Sequence, residues 1–591
     1  MHFNDIIWYN SLLLLSLSSA YSATAVTRPN ILIIQADDMG FDDLSIHGNT
    51  VIETPALDQL SSTSVSFDRF YVHSVSAPTR ASLLTGKHFW KTGVSGVHAG
   101  RDFLHLDEVI APQIFQENGY ATGMWGKWHS GKTEGYFPWN RGFDEAYMAS
   151  LYGHVNNNGK LNGIDTPLTG WTDSIMANYA IEFIERNKET PFYAYLSFLA
   201  PHGKWDANPT YVQKYRDKGL SDNFAVLCAM IDHLSVQTGR VIAKLDELEL
   251  TENTIIIFLS DNGPALNVDG NSITESEWIL RNPSYMRGNK STNWDNGIRS
   301  PLIISWKGKF RTHRDLNPVC ISDILPTLFD LCEIQQNKIH CDGISLRNHL
   351  ENVCFEAEKR NIFIAQWHPI FNIDNRKVNN AYLPLSTTNR ASINFEDQVI
   401  GVYRNEMKLM LNHKQELPLV LKNTVVDPYE KLDFASKNEV VVDELYASLS
   451  DWFEDIYNNP HAFTMPRFII RKTIESEILA YAPIAYSEGL NNNTHSLDNW
   501  SKANDFARYQ IRVEEPGFYD LVLVSKSTVT SGNATFTVSA NGNSLSTSIS
   551  DTQSPKAELY LSAGNYNLEM KLNNAQSAAF VMASIRLNFI R

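Results

Sequence analysis

The sequence has few cysteines, no excess of positive charge and no internal apolar run long enough to span a membrane. None of the five cysteines among its 591 residues forms a Cys-x-x-Cys pair, which argues against a zinc site. The formal net charge of −16 argues against a nucleic-acid-binding surface. A transmembrane helix needs about 20 apolar residues in a row, so none is expected. The chain is too long for one hydrophobic core, and several domains are expected.

The N-terminus carries a short apolar run, Leu12 to Leu17, followed by small residues near Ala20 to Ala23. This pattern is typical of a signal peptide with its cleavage site, although no Lys or Arg precedes the run. A buried first strand or helix is the alternative interpretation. We favour a signal peptide at residues 1–23, and therefore a secreted or periplasmic protein.

Four of the five cysteines lie between residues 320 and 354. In an oxidising compartment they could pair as disulfides, whereas buried free thiols explain them equally well. The sequence leaves both alternatives open for Cys320, Cys332, Cys341 and Cys354.

From Pro29 to about residue 350, apolar β-rich segments alternate with segments of helical periodicity. This alternation predicts an α/β fold, in which helices flank both faces of a central sheet. In such sheets, functional sites form where the strands end. The strand candidates are 30–35, 192–198, 254–260 and 301–306, and the helix candidates are 104–118, 173–187 and 224–249.

The rest of the chain changes character twice. Residues 360–475 combine short strand candidates with a helix candidate at 439–457, which predicts a smaller α+β subdomain. Beyond about residue 476, short strands separated by turns, with a hairpin signal at Asn541-Gly542, predict an antiparallel β-sandwich. The expected units are a signal peptide at 1–23, an α/β domain at 24–358, an α+β subdomain at 359–475 and a β-sandwich at 476–591.

Two polar pairs directly follow strand candidates. Asp37-Asp38 comes after residues 30–35, and Asp261-Asn262 comes after residues 254–260. Both pairs would then lie at the same edge of one sheet, where three carboxylates and an amide oxygen suit Ca²⁺ or Mg²⁺. The alternative is that each aspartate opens a turn or caps a helix.

The stretch "SAPTRASLLTGK", residues 76–87, combines helix-starting and polar residues. A helix beginning at Pro78 would put Ser76 at its positive end, where an anion is favoured, and Arg80 one turn later. The alternative is that Ser76 or Thr79 caps the helix.

Basic and imidazole side chains lie in three other segments. Lys127 and His129 are two residues apart in "GKWHSG", so an extended backbone would point both to one side. Lysine attracts an anion, and histidine moves protons near neutral pH. His202 follows the strand candidate 192–198, and Lys290 lies in a loop rich in Gly and Asn. Taken singly, each is better explained as a solvated or turn residue.

Together these segments resemble the type I sulfatase family of the alkaline phosphatase-like superfamily. The signature of that family is Cys or Ser, any residue, Pro, a small residue and Arg, followed by Thr-Gly-Lys/Arg. Here it stands as "SAPTR" at 76–80 with "LTGK" at 84–87. The segments "RPNILIIQADDMG", "ATGMWGKWHSG", "PFYAYLSFLAPH", "TIIIFLSDNG" and "GIRSPLIISW" follow the family's order, and the resemblance covers residues 28–455.

The resemblance implies that Ser76 is oxidised after translation to formylglycine (3-oxoalanine), whose hydrated aldehyde is the nucleophile. A formylglycine-generating maturation enzyme is the implied partner, and Ca²⁺, or Mg²⁺, is the implied cofactor. The implied metal ligands are Asp37, Asp38, Ser76, Asp261 and Asn262. The implied catalytic residues are Ser76, Arg80, His129, His202 and Asp261, with Lys127 and Lys290 binding the substrate. Among these, Asp261 would activate the diol, His129 would take a proton during sulfate release, and His202 or Lys290 would protonate the leaving group.

The expected substrate is a sulfated polysaccharide or its oligosaccharides. The β-sandwich weakly resembles carbohydrate-binding modules, with a packing role as the alternative. Glycan binding there requires exposed aromatic residues, for which Trp500, Phe506 and Tyr519 are candidates, and "QWHP" at 366–369 is a candidate sugar subsite. Two other functions stay open: a phosphoric-ester hydrolase that uses unmodified Ser76, and a non-catalytic glycan-binding protein.

Overall fold

A computed structural model describes residues 28–268, 271–371, 390–413, 418–526, 534–550, 552–575 and 580–591. The signal peptide expected at 1–23 lies outside the described residues. None of the helices in these ranges is both long and apolar enough to cross a lipid bilayer.

The first 360 residues contain most of the helices and fourteen strands of the described part. The strands are β1 (Asn30–Ala36), β2 (Val65–Phe67), β3 (Phe70–Tyr71), β4 (Ala121–Gly126), β5 (Glu145–Met148), β6 (Asn158–Leu161), β7 (Ile164–Pro167), β8 (Phe192–Ser197), β9 (Thr254–Ser260), β10 (Asn267–Val268), β11 (Asn271–Ser272), β12 (Leu302–Ser305), β13 (His313–Asp315) and β14 (Val319–Cys320). The helices are α1 (Pro55–Ser61), α2 (Ser76–Thr85), α3 (Ala111–Glu117), α4 (Thr172–Arg186), α5 (Pro209–Arg216), α6 (Asp222–Glu247), α7 (Glu275–Arg281), α8 (Asp295–Ile298), α9 (Ile324–Leu331) and α10 (Arg347–Glu351).

The central sheet has the strand order β13-β2-β12-β9-β1-β8-β4-β5-β6-β7, and its middle strands β9, β1, β8 and β4 run parallel. Strand β1 is buried along its whole length, and alternate residues enter different cores. Ile31 and Ile33 belong to the core that contains α2, α3 and α9, whereas Leu32 and Ile34 belong to the core of α4 and α6. The predicted α/β sheet with helices on both faces is therefore confirmed.

Two helix starts differ from the sequence prediction. The helix predicted from residue 104 begins only at Ala111, because Pro112 occupies its first turn and residues 104–110 form turns and extended chain. Helix α2 begins at Ser76 and not at Pro78, which still lies in the first turn, where a missing N–H costs no hydrogen bond.

A smaller antiparallel sheet follows the central domain, as predicted. It has the order β15-β16-β17-β18, and its core is continuous with that of α11 through Leu445, Leu449 and Trp452. The elements of this subdomain are β15 (Asn361–Ala365), β16 (Ile400–Arg404), β17 (Met407–Leu411), β18 (Leu419–Asn423) and α11 (Glu439–Asn458).

Two further antiparallel-rich sheets form the C-terminal β-sandwich. One has the order β19-β24-β29-β26-β27 with β21 at its side, and the other has the order β22-β23-β30-β25-β28 with β20 at its side. The strands are β19 (Arg467–Ile470), β20 (Ser476–Leu479), β21 (Ala485–Tyr486), β22 (Asn491–Asn493), β23 (Ser496–Trp500), β24 (Phe506–Val513), β25 (Gly517–Ser525), β26 (Ala534–Ala540), β27 (Asn543–Ile549), β28 (Ala557–Leu561), β29 (Gly564–Ala575) and β30 (Phe580–Phe589).

The hairpin signal between β26 and β27 is confirmed. Ala540 pairs with Asn543, and the two turn residues, Asn541 and Gly542, have φ values of 46° and 83°. Two successive positive φ values define the turn that suits the twist of a tight hairpin.

The aromatic residues considered for glycan binding lie mostly in the core. Trp500 and Tyr519 have no exposed surface, and their polar atoms donate to the carbonyl oxygens of Leu497 and Glu515. Phe506 is half-buried. The expectation of an exposed face is therefore wrong for Trp500 and Tyr519, because burying a large aromatic surface stabilises the sandwich.

All five cysteines are free thiols in the structure, and only Cys354 is exposed. Of the two alternatives that the sequence left open, the structure favours unpaired thiols.

Candidate active site

The two acidic strand ends meet at one edge of the central sheet. Strands β1 and β9 pair in parallel with Ala36 opposite Ser260, so Asp37-Asp38 and Asp261-Asn262 leave the sheet side by side. The backbone N–H of Asp38 donates to Asp261 Oδ1 at 3.1 Å, and Asn262 Nδ2 donates to Asp38 Oδ1 at 2.8 Å. All four residues are buried. Carboxylates this close in a dry environment need positive charge nearby.

Ser76 lies at the start of α2 but does not cap the helix. The capping position is Val75, and no side chain there accepts a hydrogen bond from the first turn. Ser76 Oγ instead accepts a hydrogen bond from Arg80 Nε at 2.9 Å. Thr79 Oγ1 accepts from the backbone N–H of His73 and so anchors the preceding loop. Both capping alternatives are therefore wrong, and Ser76 Oγ faces the acidic strand ends through Arg80.

Arg80 joins the helix to those strand ends. Its guanidinium is fully buried, and Nη2 donates to Asp261 Oδ2 at 2.8 Å while Nε contacts both Ser76 and Asp261. Burial alone would lower the pKa of Arg80, but the surrounding anionic groups raise it well above its ordinary value. A planar, permanently charged guanidinium carries several donors in a fixed geometry and can hold two oxygen atoms side by side, whereas the donors of a lysine all lie on one nitrogen atom.

Two polar residues of β8 support Arg80 and were missed from the sequence. Arg80 Nη1 donates to Tyr195 OH at 3.2 Å and also to Ser197 Oγ, and Ser197 Oγ donates to the carbonyl oxygen of Lys127 at 2.8 Å. The sequence did contain a signal for these two residues. Hydroxyl groups two residues apart on a fully buried strand face the same side and need a polar partner there.

Lys127 and Lys290 supply the remaining positive charge. Lys127 Nζ lies 2.5 Å from Asp37 Oδ2, and Lys290 Nζ lies 2.6 Å from Asp38 Oδ1. Burial opposes the ionised form of Asp38, but Lys290, His202 and Lys127 together outweigh it and hold the pKa of that carboxyl below its ordinary value. Burial, reinforced by the charge of Asp261, raises the pKa of Asp37 to about 8. The side chains at this sheet edge therefore leave Asp37 short of compensating charge.

A glycine permits the approach of β4 to this edge. Gly126, the last residue of β4, has a φ of 116°, and a Cβ atom there would come within 1.8 Å of the carbonyl oxygen of Ser197. Only glycine allows this contact. It brings Lys127 directly above the end of β8.

The two predicted histidines flank the cluster. His202 Nε2 lies 3.8 Å from Asp38 Oδ2, and burial together with Lys290 lowers the pKa of His202 to about 3. His129 Nε2 donates to the carbonyl oxygen of Val97 at 3.0 Å, which leaves Nδ1 as an acceptor without a partner among the described residues. Burial and the charge of Lys127 hold the pKa of His129 well below its ordinary value. Both imidazoles are therefore neutral at pH 7.

The donor set fits a hard divalent cation. Asp37 Oδ1 and Asn262 Oδ1 are buried and have no hydrogen-bond partner among the described residues. Ligand atoms of Asp37, Asp38 and His202 lie within 4.8 Å of one another. Unpartnered buried oxygens are costly unless an ion or water meets them. Oxygen donors of this kind suit Ca²⁺ or Mg²⁺ more than zinc or copper.

A second cluster does not fit a metal. His105, Asp107 and His461 also bring candidate ligand atoms within 4.8 Å. The two imidazole rings stack with centroids 4.4 Å apart and planes only 8° from parallel. Lone pairs in two stacked, nearly parallel planes cannot both point at one ion.

The candidate sugar subsite at 366–369 borders the same site. Gln366 Nε2 donates to the carbonyl oxygen of Ser291, the neighbour of Lys290, at 3.4 Å. Trp367 packs against Val75, the neighbour of Ser76. The structure thus brings this segment to the edge of the cluster, together with every predicted site residue.

A comparison with protein families decides the class. The profile described as Sulfatase matches residues 29–334, a range that includes every predicted catalytic residue and metal ligand as well as Lys127 and Lys290. The chain belongs to the sulfatase family. It is an arylsulfatase-like hydrolase of sulfate esters in the alkaline phosphatase-like superfamily.

Two curated relatives illustrate the range of similarity. An N-acetylgalactosamine-6-O-sulfatase of Bacteroides thetaiotaomicron is 29% identical over 363 residues, which cover 49% of this sulfatase and 69% of the relative. Arylsulfatase J of Mus musculus is 28% identical over 487 residues, which cover 72% of this sulfatase and 76% of the relative.

Solved structures share the fold. Ps i-CgsB in complex with k-i-k-neocarrahexaose superposes with a TM-score of 0.62 and 23% identity, covering 73% of this sulfatase and 94% of that chain. The PsFucS1 sulfatase from Pseudoalteromonas sp. gives a TM-score of 0.59 and 20% identity, covering 73% and 91%. At these identities, the similarity establishes the architecture of the sulfatase.

Proposed function

We propose that this sulfatase removes sulfate from a sulfated polysaccharide or its oligosaccharides, using a formylglycine formed from Ser76 and a bound Ca²⁺. The contact that carries the proposal is the buried Arg80 guanidinium, which holds Ser76 Oγ and the Asp261 carboxylate together. Relatives and fold neighbours named for N-acetylgalactosamine-6-O-sulfate, neocarrahexaose and D-glucosamine-2-N,6-O-disulfate support a carbohydrate substrate.

The side chains around Ser76 match the needs of sulfate ester cleavage. Arg80, Lys127 and Lys290 converge from three different elements and would hold the non-bridging sulfate oxygens, stabilising charge in the transition state. The N–H groups of the first turn of α2 add positive potential at the same point. The sulfur atom would therefore lie above Ser76, between the helix and the strand ends.

Proton transfers fall to the carboxylate and imidazole groups. Formylglycine supplies a geminal diol, with one hydroxyl to attack sulfur and a second whose deprotonation lets sulfate leave. Asp261, beside residue 76, would accept the first proton. His129 Nδ1, an acceptor with no hydrogen-bond partner in the described part of the chain, would take the proton of the second hydroxyl. Lys290 or His202, which both approach Asp38, would protonate the leaving oxygen, and His202 would first have to gain a proton because its imidazole is neutral in the free site.

The proposal includes the location and the maturation partner. A formylglycine-generating enzyme that accepts serine would act on the "SAPTR" segment, and the run Leu12 to Leu17 would direct the chain to a secreted or periplasmic location.

The reaction is tested by supplying matched esters. Purified protein is expected to release sulfate from an aryl sulfate and from defined sulfated oligosaccharides, with aryl phosphate turned over at least about 100-fold more slowly, a difference of about 2.7 kcal/mol in transition-state binding. Ion chromatography of released sulfate and phosphate measures both rates. Faster phosphate release would favour a phosphoric-ester hydrolase, and glycan binding without any release would favour a binding protein.

Metal removal is expected to inactivate and destabilise the enzyme. Asp37, Asp38, residue 76, Asp261 and Asn262 would hold Ca²⁺, whose charge would act on the sulfate oxygens. Chelation by EGTA should lower kcat by about 100-fold or more, and Ca²⁺ at 100 times its Kd should restore about 2.7 kcal/mol of stability. Sulfate release and thermal melting before and after Ca²⁺ addition measure both effects.

A pair of variants controls the metal experiment. Asp37→Asn should abolish the response of the melting temperature to Ca²⁺, because it removes a charged ligand. Asp165→Asn, whose side chain is 84% exposed and distant in sequence from the site, should retain the response. Elemental analysis tests whether the purified protein is free of divalent metal. Full activity in metal-free protein would contradict the assignment of Ca²⁺.

A further inference from the structure

One turn of the C-terminal β-sandwich lies close to the proposed reaction centre. Asn493 of β22 pairs with Ser496 of β23, which makes Thr494 and His495 a two-residue turn. His495 is exposed, and its ring centroid lies 6.0 Å from that of His98. The ring of His98 in turn lies 6.4 Å from that of His129. Only one side chain therefore separates the sandwich from a residue of the proposed reaction centre.

Hydrogen bonds and an ion pair join the sandwich to residues 134–136, which follow His129 in sequence. Tyr136 OH donates to the carbonyl oxygen of Arg467 at 2.9 Å and accepts from its N–H at 3.1 Å. Arg471 forms an ion pair with Glu134. Because these contacts hold β19 against residues 134–136, the position of the β22–β23 turn relative to the active site is defined by packing.

A lysine and a tyrosine lie beside these histidines. Lys132 is exposed, and its Nζ lies 5.5 Å from the centre of the Tyr481 ring, which in turn lies 6.1 Å from the ring of His495. Lys132 forms no ion pair within the described ranges of the chain. We call His98, Lys132, Tyr481 and His495 the rim cluster.

The electrostatics of the rim cluster are those of a cation flanked by neutral imidazoles. Burial, with the charges of His495 and Lys132, lowers the pKa of His98 to about 4, and burial and Lys132 also lower the pKa of His495. Burial opposes the charge of Lys132, but Tyr481 and Asp102 raise its pKa above the ordinary value. Lys132 therefore keeps its positive charge beside Tyr481 and Asp102 and can attract an anion, and the exposed imidazole of His495 can form a hydrogen bond with a hydroxyl group.

We propose that the rim cluster is a binding subsite for a second anionic group, a sulfate or a carboxylate, on a sugar next to the one whose sulfate is cleaved. This inference rests on the proposed carbohydrate sulfatase function. With a net charge of −16, the protein repels a polyanionic glycan except where cations are exposed locally. Lys132 supplies such a cation on the His129 side of the reaction centre. The β-sandwich would thereby contribute to substrate selection by forming one wall of the cleft.

Substrate pairs that differ by one anionic group test the subsite. Lys132→Ala and His495→Ala are expected to lower kcat/KM about tenfold for an oligosaccharide that carries a second sulfate or carboxylate, and less than about threefold for its singly sulfated counterpart or an aryl sulfate. Lys132→Arg should retain most of the activity on the doubly charged substrate. Lys556→Ala and His340→Ala, which alter exposed residues far from the rim cluster in sequence, are the matched controls.

The outcomes separate the inference from the function on which it rests. Equal losses on both kinds of substrate would mean that the cluster only positions His129, and no loss on either would mean that no subsite exists; both outcomes overturn the inference. Because His495 lies in an exposed turn, His495→Ala should have the melting temperature of the wild type. If Lys132→Ala fails to fold, His495→Ala therefore still tests the subsite. If the wild type itself releases sulfate from no glycan, the proposed function fails first and the subsite fails with it.

Discussion

Replacement of Ser76 with alanine is expected to lower kcat for sulfate release by at least about 10⁴-fold, as removal of a nucleophile does in other hydrolases. Alanine cannot be converted to formylglycine, and it removes the oxygen that Arg80 holds. The folded state should lose only about 1–3 kcal/mol, because Arg80 keeps its bonds to Asp261 and β8. Initial rates on an aryl sulfate, compared with thermal melting, separate the two effects.

The control for this variant is Ser62→Ala, which alters an exposed serine and should be as active as the wild type. Mass spectrometry of the tryptic peptide spanning residues 70–80 adds a direct readout, since conversion of Ser76 removes about 2 Da. An active Ser76→Ala enzyme would show that residue 76 does not supply the nucleophile. A fully active enzyme whose peptide shows unmodified serine would refute formylglycine while leaving Ser76 in place.

Arg80→Lys is expected to reduce kcat/KM by about 10²–10³-fold, the usual cost of losing one preorganised donor at a developing anion. Lysine keeps the charge but cannot contact Ser76, Asp261 and the polar groups of β8 together. Stability should fall as well, by up to about 3–5 kcal/mol, since the buried Asp261 loses its paired partner. Steady-state kinetics and denaturant unfolding give the two quantities.

Arg311→Lys is the matched control for Arg80→Lys, because Arg311 is exposed and the same change should there be silent. Wild-type kinetics in Arg80→Lys would show that the fork of donors is dispensable and that charge alone holds the sulfate. A loss of stability with unchanged kcat/KM would reduce Arg80 to a structural residue.

Local patterns in the sequence predict much of the fold. The apolar runs of β1, β8 and β9 are buried on both faces, so each reads as a continuous hydrophobic segment. Once those strands are taken as parallel neighbours, the proximity of Asp37 and Asp261 follows, because the carboxyl ends of parallel strands share one edge. The spacing within "SAPTR" likewise puts Ser76 and Arg80 one helical turn apart.

Other features depend on packing that no local pattern reports. The alternation in β23 and β25 does not reveal which face of each strand meets the opposite sheet, so the sequence offers Trp500 and Tyr519 as candidates for an exposed face although both are buried. Likewise, the sequence places the hydroxyl groups of Tyr195 and Ser197 on one side of β8, but they become site residues only because Arg80 crosses from α2 to β8.

From the chain alone, the residue types, their order and their resemblance to the sulfatase signature predict the class of enzyme. The tertiary structure alone decides which donors surround Ser76 and which part of the β-sandwich lies near them. Hydrogen bonds such as Arg80 to Asp261 join residues far apart in sequence, and the turn at His495 meets His98 only because β19 packs against residues 134–136. Contacts between distant segments arise from the packing of complete elements, which neither periodicity nor spacing encodes.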